Sequence, residues 1–149
     1  MHERLFANRP PTGAALGRLA DSAYADRAAG SRATLTVLRG DSDLCLGQLA
    51  VHDIDWEHAR GELSLWIAPA QRGRGLGSAA LRLGAAWLFD RCALSRLGIL
   101  VEPDNVQMLH AAARAGFRDE GILRAHLRRR AARLDVAVLS LLPSDLQGA

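Results

Sequence analysis

The spacing of hydrophobic and polar positions changes period several times along this chain, and each change predicts an element. Between Ala14 and Ala29 apolar residues recur at helical spacing, at Leu16, Leu19, Ala20 and Ala23, and Gly30 stands where a helix C-terminal cap belongs. Thr34 to Leu38 predicts a strand, Gly40-Asp41-Ser42-Asp43 a turn, and Leu44 to Val51 a second strand, so the pair reads as a hairpin. A polar loop, Asp53 to Arg60, follows. Glu62 to Ile67 then alternates, with Glu62, Ser64 and Trp66 on one face and Leu63, Leu65 and Ile67 on the other. Three consecutive antiparallel strands are expected.

After Pro69 the period changes. Gln71-Arg72-Gly73-Arg74-Gly75-Leu76-Gly77 reads as a loop, and a long helix to about Cys92 follows, its stripe formed by Leu76, Ala80, Leu83 and Trp87. Leu97 to Val101 is a compact apolar strand. Asn105 is placed to cap a helix that ends at Ala115, with Gly116 behind it. Arg133 to Leu142 predicts a last strand, preceded by another around Ala125 to Arg130. The strand–helix–strand unit from Glu62 to Val101 calls for a parallel or mixed sheet, so the expected class is α+β with antiparallel N-terminal strands.

Composition narrows the field. The 149 residues are 49% hydrophobic and 23% charged, which fits one globular domain and not a disordered chain. No apolar run reaches the ~20 residues of a membrane span, and the polar start, Met1 to Arg9, has no signal-peptide core. A cytoplasmic location is the expectation. Every one of the 19 basic residues is arginine. The absence of lysine excludes a Schiff-base lysine, a P-loop lysine and a lysine general base. A net charge of +3 does not imply nucleic acid by itself. Cys45 and Cys92 lie far apart without a CxxC partner, and they read as free, buried thiols outside any disulfide or zinc site.

The segment richest in chemistry is Arg72 to Gly77, between a strand and a helix start. Glycines let the backbone approach a ligand closely, the N–H groups of a helix start favour an anion, and Arg72 and Arg74 bring fixed charge suited to phosphate. A phosphate or pyrophosphate cradle is the physical reading. The sequence lacks the GxxxxGK[ST] of a P-loop, and the spacing of Gly73, Gly75 and Gly77 does not fit the GxGxxG of a dinucleotide fold.

Arg72-Gly73-Arg74-Gly75-Leu76-Gly77 resembles the acyl-CoA signature of the GNAT acyltransferases. The likeness extends to Gly61–Pro69, to Val101-Glu102-Pro103-Asp104-Asn105 with Ala115-Gly116-Phe117, to Glu120–Arg124, and to the end from Asp135 to Leu146. Within the family it is similar to the Rim-type subgroup, which acetylates ribosomal-protein N-termini and diverse small amines. The resemblance implies a three-layer fold with a central pair of splayed parallel strands. It implies acetyl-CoA as co-substrate, its pyrophosphate on Arg72, Gly73, Arg74, Gly75, Leu76 and Gly77 and its pantetheine arm pairing like an added strand with Ile67 and Ala68. The Ile67 N–H is then the donor to the thioester carbonyl. Glu62 becomes the base or amine-positioning group for a primary-amine acceptor, Ser64 and Trp66 belong to the acceptor pocket, and Asn105 contacts the cofactor arm or orders a water while capping its helix. No metal is implied, and family members occur as monomers or dimers.

The chain departs from the family pattern in two places. Met108 stands where a serine or tyrosine often protonates the leaving thiolate, and methionine donates no proton. His110, two residues on, points elsewhere around the helix. The usual first strand and helix need about 17 residues plus connections, and only Met1 to Gly13 precede the first helix read here, so those elements are expected to be missing. These departures motivate an alternative, a non-catalytic acyl-CoA-binding module. Arg124, His126, Arg128, Arg129, Arg130 and Arg133 form a basic run that reads as a solvated edge strand, with nucleic-acid binding the sharper alternative. His52, Asp53, Asp55 and His58 share one loop and read as solvated rather than metal-binding.

Overall fold

The structure is a computed structural model that describes residues 13–147. Helix α1 (Gly13–Ala28) leads into strands β1 (Ala33–Leu38), β2 (Cys45–Asp55) and β3 (Arg60–Ile67). A single 3₁₀ turn at Pro69–Gln71 precedes helix α2 (Leu76–Cys92). Then come β4 (Arg96–Val101), α3 (Val106–Ala115), β5 (Arg118–Arg129), β6 (Ala132–Leu141) and a short α4 (Pro143–Gln147). The strands form one mixed sheet in the order β1-β2-β3-β4-β6-β5. β1, β2 and β3 pair antiparallel, β3 and β4 parallel, and β6 runs antiparallel to both β4 and β5. The α+β class and the three antiparallel N-terminal strands are as the sequence predicts.

Helix ends follow local chemistry. Gly30 closes α1 at φ +69°, and the indole N–H of Trp56 donates to its carbonyl at 2.8 Å. Gly116 closes α3 at φ +100°. A left-handed residue lets the chain turn out of a helix at no Cβ cost when it is glycine. The core lies between the sheet and α2 and α3, with Leu81, Leu97, Ile99 and Leu141 at 1% exposure or less. Truncating one such leucine to alanine costs about 2–5 kcal/mol.

Several predicted boundaries and faces are corrected. β2 continues past Val51 to Asp55, because a register shift between His52 and Asp55, with Asp53 at φ +48°, absorbs polar residues as a bulge instead of ending the strand. The first strand of the last hairpin begins at Arg118, not near Ala125, and its exposed side chains on an edge strand explain why no alternation marks it. On α2 the buried stripe is Ala80, Leu81, Gly84, Ala85 and Leu88, whereas Leu83 is 74% exposed. Small residues win that face because the sheet sits close: a Cβ on Gly84 would lie 2.1 Å from Leu49 Cδ2. Ala23 on α1 is exposed, and the side chains of Leu16, Leu19 and Ala20 lie outside the described ones, as do Met1 to Thr12 and the expectation about missing elements. Both cysteines are free, but Cys45 is exposed rather than buried. Among the described residues no helix is long and apolar enough to cross a membrane.

Gly47 of β2 carries a packing constraint against the end of β3. It stands opposite Ile67, and a Cβ there would meet the Trp66 carbonyl oxygen at 2.3 Å and Ile67 Cδ1 at 2.8 Å. Gly47→Ala is expected to lower stability by about 1–3 kcal/mol, read as a shift in the urea midpoint. Gly40→Ala, with nothing within 4 Å of the added carbon, is the control and should leave the midpoint within about 0.5 kcal/mol. Equal midpoints for the two variants would contradict the packing.

Candidate functional site: a cleft between parting strands

The parallel strands pair for only three residues, Arg60 with Arg96, Gly61 with Leu97, and Glu62 with Gly98. Beyond that they splay, as the family resemblance implied. The opening is a cleft of about 770 Å³, walled by residues 63–67 of β3, residues 99–102 beyond the paired part of β4, the loop and start of α2, and one side of α3.

Backbone directions in β3 follow from its ladder. The Ala68 N–H donates to the Leu46 carbonyl at 2.9 Å. Alternate residues of a strand turn their N–H and C=O to the same side, so residues 64, 66 and 68 serve β2 and residues 63, 65 and 67 face the splay. Ile67 therefore turns its backbone into the cleft, and its carbonyl accepts the Arg72 Nε–H at 2.9 Å. Ala68 does not join it. Its N–H is spent on β2 and its carbonyl accepts the Gln71 N–H at 2.8 Å, so the expected pairing of a ligand strand with Ala68 is not supported.

The loop has the geometry of an anion cradle. Gly73 and Gly75 both adopt φ near +75°, at +73° and +78°. In that region a Cβ is strained, although open space surrounds both positions. Gly75 caps α2 without any side-chain acceptor. With no side-chain cap at Gly75, the first-turn N–H groups of α2 point outward together with the positive end of its dipole. Arg72, Gly73, Gly75, Leu76 and Gly77 line the cleft, and Arg74 stands exposed beside it. Arg72 has a structural duty as well as a charge, since it ties the loop back to the end of β3.

Glu62 sits at the apex, in the last parallel pair; a Cβ on its partner Gly98 would lie 3.8 Å from Glu62 Cγ. Ser64 and Trp66 share its face by strand alternation and line the cleft. The Trp66 Nε1 is buried with no hydrogen-bond partner among the described residues. Asn105 lines the cleft and also caps α3, its side-chain oxygen accepting the Met108 N–H at 3.4 Å. Met108 lines the cleft, and so does His110, which the sequence had placed elsewhere around the helix. The cleft curves around α3 enough to reach both.

Sequence reasoning missed Glu102, Arg114 and Leu127. Glu102 follows β4, lines the cleft and is ion-paired to Arg129 from the β5–β6 hairpin. Arg114 adds a cation on the α3 wall, and Leu127 reaches in from β5. A side chain delivered across the sheet by a hairpin leaves no local sequence signal. The remaining arginines of the basic run lie on the exposed edge hairpin. The four polar residues of the predicted loop divide into two groups. Asp55 accepts from the His58 backbone and from Arg60, which holds its carboxyl below the usual range, the His58 N–H being the largest cause. His52 and Asp53 turn instead toward Glu62.

A family model for the GNAT acetyltransferase domain matches residues 2–118. Among curated proteins, the chain is similar to "Uncharacterized N-acetyltransferase YoaA" of Bacillus subtilis (strain 168), 27% identical over 103 residues, 69% of this chain and 58% of that protein. It is also similar to a spermidine N(1)-acetyltransferase of Escherichia coli (strain K12), 30% identical over 77 residues, 52% of this chain and 41% of that one. The chain thus spans about three fifths or less of the length of these relatives. Among solved structures, a "Probable acetyltransferase" superposes with TM-score 0.84 at 23% identity, covering 94% of this chain and 77% of the other. The F149A mutant of the spermidine N-acetyltransferase SpeG from Vibrio cholerae does so with TM-score 0.78 at 19% identity, covering 89% and 78%. At these identities the superpositions establish the fold.

On the sheet, Arg96 of β4 donates to both Glu120 oxygens at 3.0 and 2.5 Å, and Ser140 Oγ adds a bond at 2.6 Å. These donors, Arg96 foremost, pull the Glu120 carboxyl down to about 2. A carboxyl depressed by folding adds stability above its unfolded value near ~4.3 and loses it as pH falls toward the folded value. Glu120→Gln should therefore lower the urea midpoint at pH 6, and the gap from wild type should shrink between about pH 4.3 and pH 2. A gap constant across that window would contradict the assignment.

Proposed function

The chain belongs to the GNAT acetyltransferase family, and from that premise we propose that it is an acetyl-CoA-dependent N-acetyltransferase acting on a primary amine by direct attack on the thioester. The described residues would serve as one acetyltransferase unit. The observation that carries the reading is the early end of β3–β4 pairing at Glu62 and Gly98. It turns the β3 backbone at Leu65 and Ile67 toward an open cleft whose far end is the uncapped start of α2.

The residues fit the co-substrate. The N–H groups of residues 73–78 and the α2 dipole suit a pyrophosphate, with Arg72, Arg74 and Arg114 supplying charge. An extended amide-containing arm can pair along β3. Acetyl-CoA supplies an activated acyl group. The Ile67 N–H is the donor for the oxyanion that develops on its carbonyl. The acceptor enters on the face of Ser64 and Trp66. Glu62 takes a proton from its ammonium, and the neutral amine attacks the carbonyl carbon. As the tetrahedral intermediate collapses the C–S bond breaks, and the second proton of the amine nitrogen passes through water to the departing thiolate, because Met108 offers none. The known acceptor of the Escherichia coli relative, spermidine, makes a polyamine one candidate, and the Rim-type resemblance makes a protein N-terminal α-amine another. An α-amine, with a reference pKa near ~7.7–8.0, asks less of the base than an alkyl amine near ~10.

Met108 favours one second reading, a module that binds acyl-CoA without turnover. Thiol release over an amine panel separates the two. Under the catalytic reading Glu62→Gln should reduce kcat by about 10²-fold with little change in acetyl-CoA affinity. Gly75→Glu, which adds both backbone strain and a negative charge to the cradle, should raise the KM for acetyl-CoA at least tenfold, equivalent to about 1.4 kcal/mol. Arg72→Ala should raise that KM too, by freeing the loop from Ile67. Wild-type cofactor kinetics in both loop variants would remove the cradle from the account, and tight acetyl-CoA binding with no thiol release would favour the second reading.

A further inference from the structure

His52 and Asp53 have no part in the reading above, yet the fold brings them to Glu62. His52 and Glu62 are directly opposed across β2 and β3, so their side chains project from the same face of the sheet. Asp53, the next residue along β2, would ordinarily project from the opposite face. Instead it adopts φ +48°, at a register shift that begins at His52. Its Oδ2 thereby lies 2.6 Å from His52 Nδ1. One ring nitrogen of His52 and one carboxylate oxygen each of Asp53 and Glu62 lie within 4.8 Å of one another. Glu62 and His52 are both part-buried, the His52 side chain at 24% exposure, while that of Asp53 is 76% exposed.

The stoichiometry of the reaction gives this arrangement a task. An acceptor that arrives as R–NH₃⁺ and leaves as an amide gives up two protons. One ends on the coenzyme thiol, and the other must reach solvent before the base can work again. We infer that His52 is the relay that carries this proton from Glu62 to bulk water, with Asp53 as the group that orients it; the inference rests on Glu62 being the base. The ammonium N–H bond breaks as the Glu62 O–H bond forms. The proton then passes from Glu62 to His52, directly or through one water, a gap such as this being within a single water's reach. The resulting imidazolium, its charge balanced by Asp53, gives a proton to bulk water and returns to neutral imidazole. No oxidant, metal or further reactant enters. His52 does not touch the acceptor in this scheme and is a positioning and relay residue.

The test uses the full chain, acetyl-CoA, and both spermidine and a tripeptide with a free α-amine as acceptors, with thiol release as the readout. His52→Ala should lower kcat about ten- to a hundredfold, leave the KM for acetyl-CoA within twofold, and bind acetyl-CoA in calorimetry as the wild type does. Added imidazole should restore part of the lost kcat in His52→Ala and none in Glu62→Gln. Asp53→Asn should lower kcat less than His52→Ala does. Wild-type kcat in His52→Ala beside an impaired Glu62→Gln would overturn the relay while sparing the base. Full activity in Glu62→Gln, or no turnover of either acceptor by the wild type, would overturn the base reading and the relay with it. Loss of kcat accompanied by loss of acetyl-CoA binding and no imidazole rescue would make His52 structural and overturn the relay. Activity lost to a chelator and restored by zinc would make the three residues a metal site instead, with the same consequence.

Discussion

Inside a sheet every backbone N–H and C=O requires a partner, and where β3 and β4 stop pairing, at Glu62 and Gly98, those on the facing edges lose theirs. The rest of the molecule answers to that interruption. β3 remains held on its other edge by β2, down to the bond from Ala68 to Leu46, so it cannot close the gap by turning. β4 is held by β6 from Leu97 opposite Leu141 to Val101 opposite Ala137. With both outer edges fixed, the inner ones stay open apart from the Ile67 carbonyl, which Arg72 occupies, and an extended ligand with amide groups can satisfy the rest.

Two further features depend on the parting of the strands. Arg72 reaches back to the Ile67 carbonyl, which couples the phosphate-suited loop to the strand end that would face a thioester. Pre-organisation of this kind lowers the ordering cost of binding. Glu62 stands at the apex, where the sheet is still paired and therefore stiff, while Ser64 and Trp66 stand where it is open. The proposed base would thus stand on the most rigid part of the site and the proposed acceptor wall on the part with room. Under the proposed function the same strand would supply both an oxyanion donor and a base, because a strand alternates its side chains and its backbone directions together.

Much of this was legible in the sequence. The alternation from Glu62 to Ile67, the helix cap at Asn105, the closing glycines Gly30 and Gly116, and the glycine–arginine loop each express a local rule, and each lies where it was expected. What escaped was decided by neighbours far along the chain. Leu83 and Trp87 have the spacing of a buried stripe, but the closeness of Leu49 gives the inner face of α2 to Ala80, Gly84 and Ala85. Ala68 follows a strand whose ligand-facing residues alternate, and only the ladder to β2 reveals that it falls on the wrong side. Asp53 is an ordinary polar residue in sequence. Its left-handed backbone and its contact with His52 come from a register shift that no local pattern announces. Glu102, Arg114 and Leu127 reach the cleft from three different elements, so no motif contains them.

The central claim is that acetyl-CoA occupies the gap between β3 and β4 by pairing with one edge of β3 and capping the start of α2. Backbone amide NMR during an acetyl-CoA titration tests it most directly. Saturable shifts and slowed exchange are expected at Ile67 and at residues 73–78, with the exchange of Trp66 and Ala68, whose N–H groups serve β2, left nearly unchanged. Shifts confined to the β5–β6 hairpin, or the absence of saturable change at Ile67 in a folded chain, would contradict it.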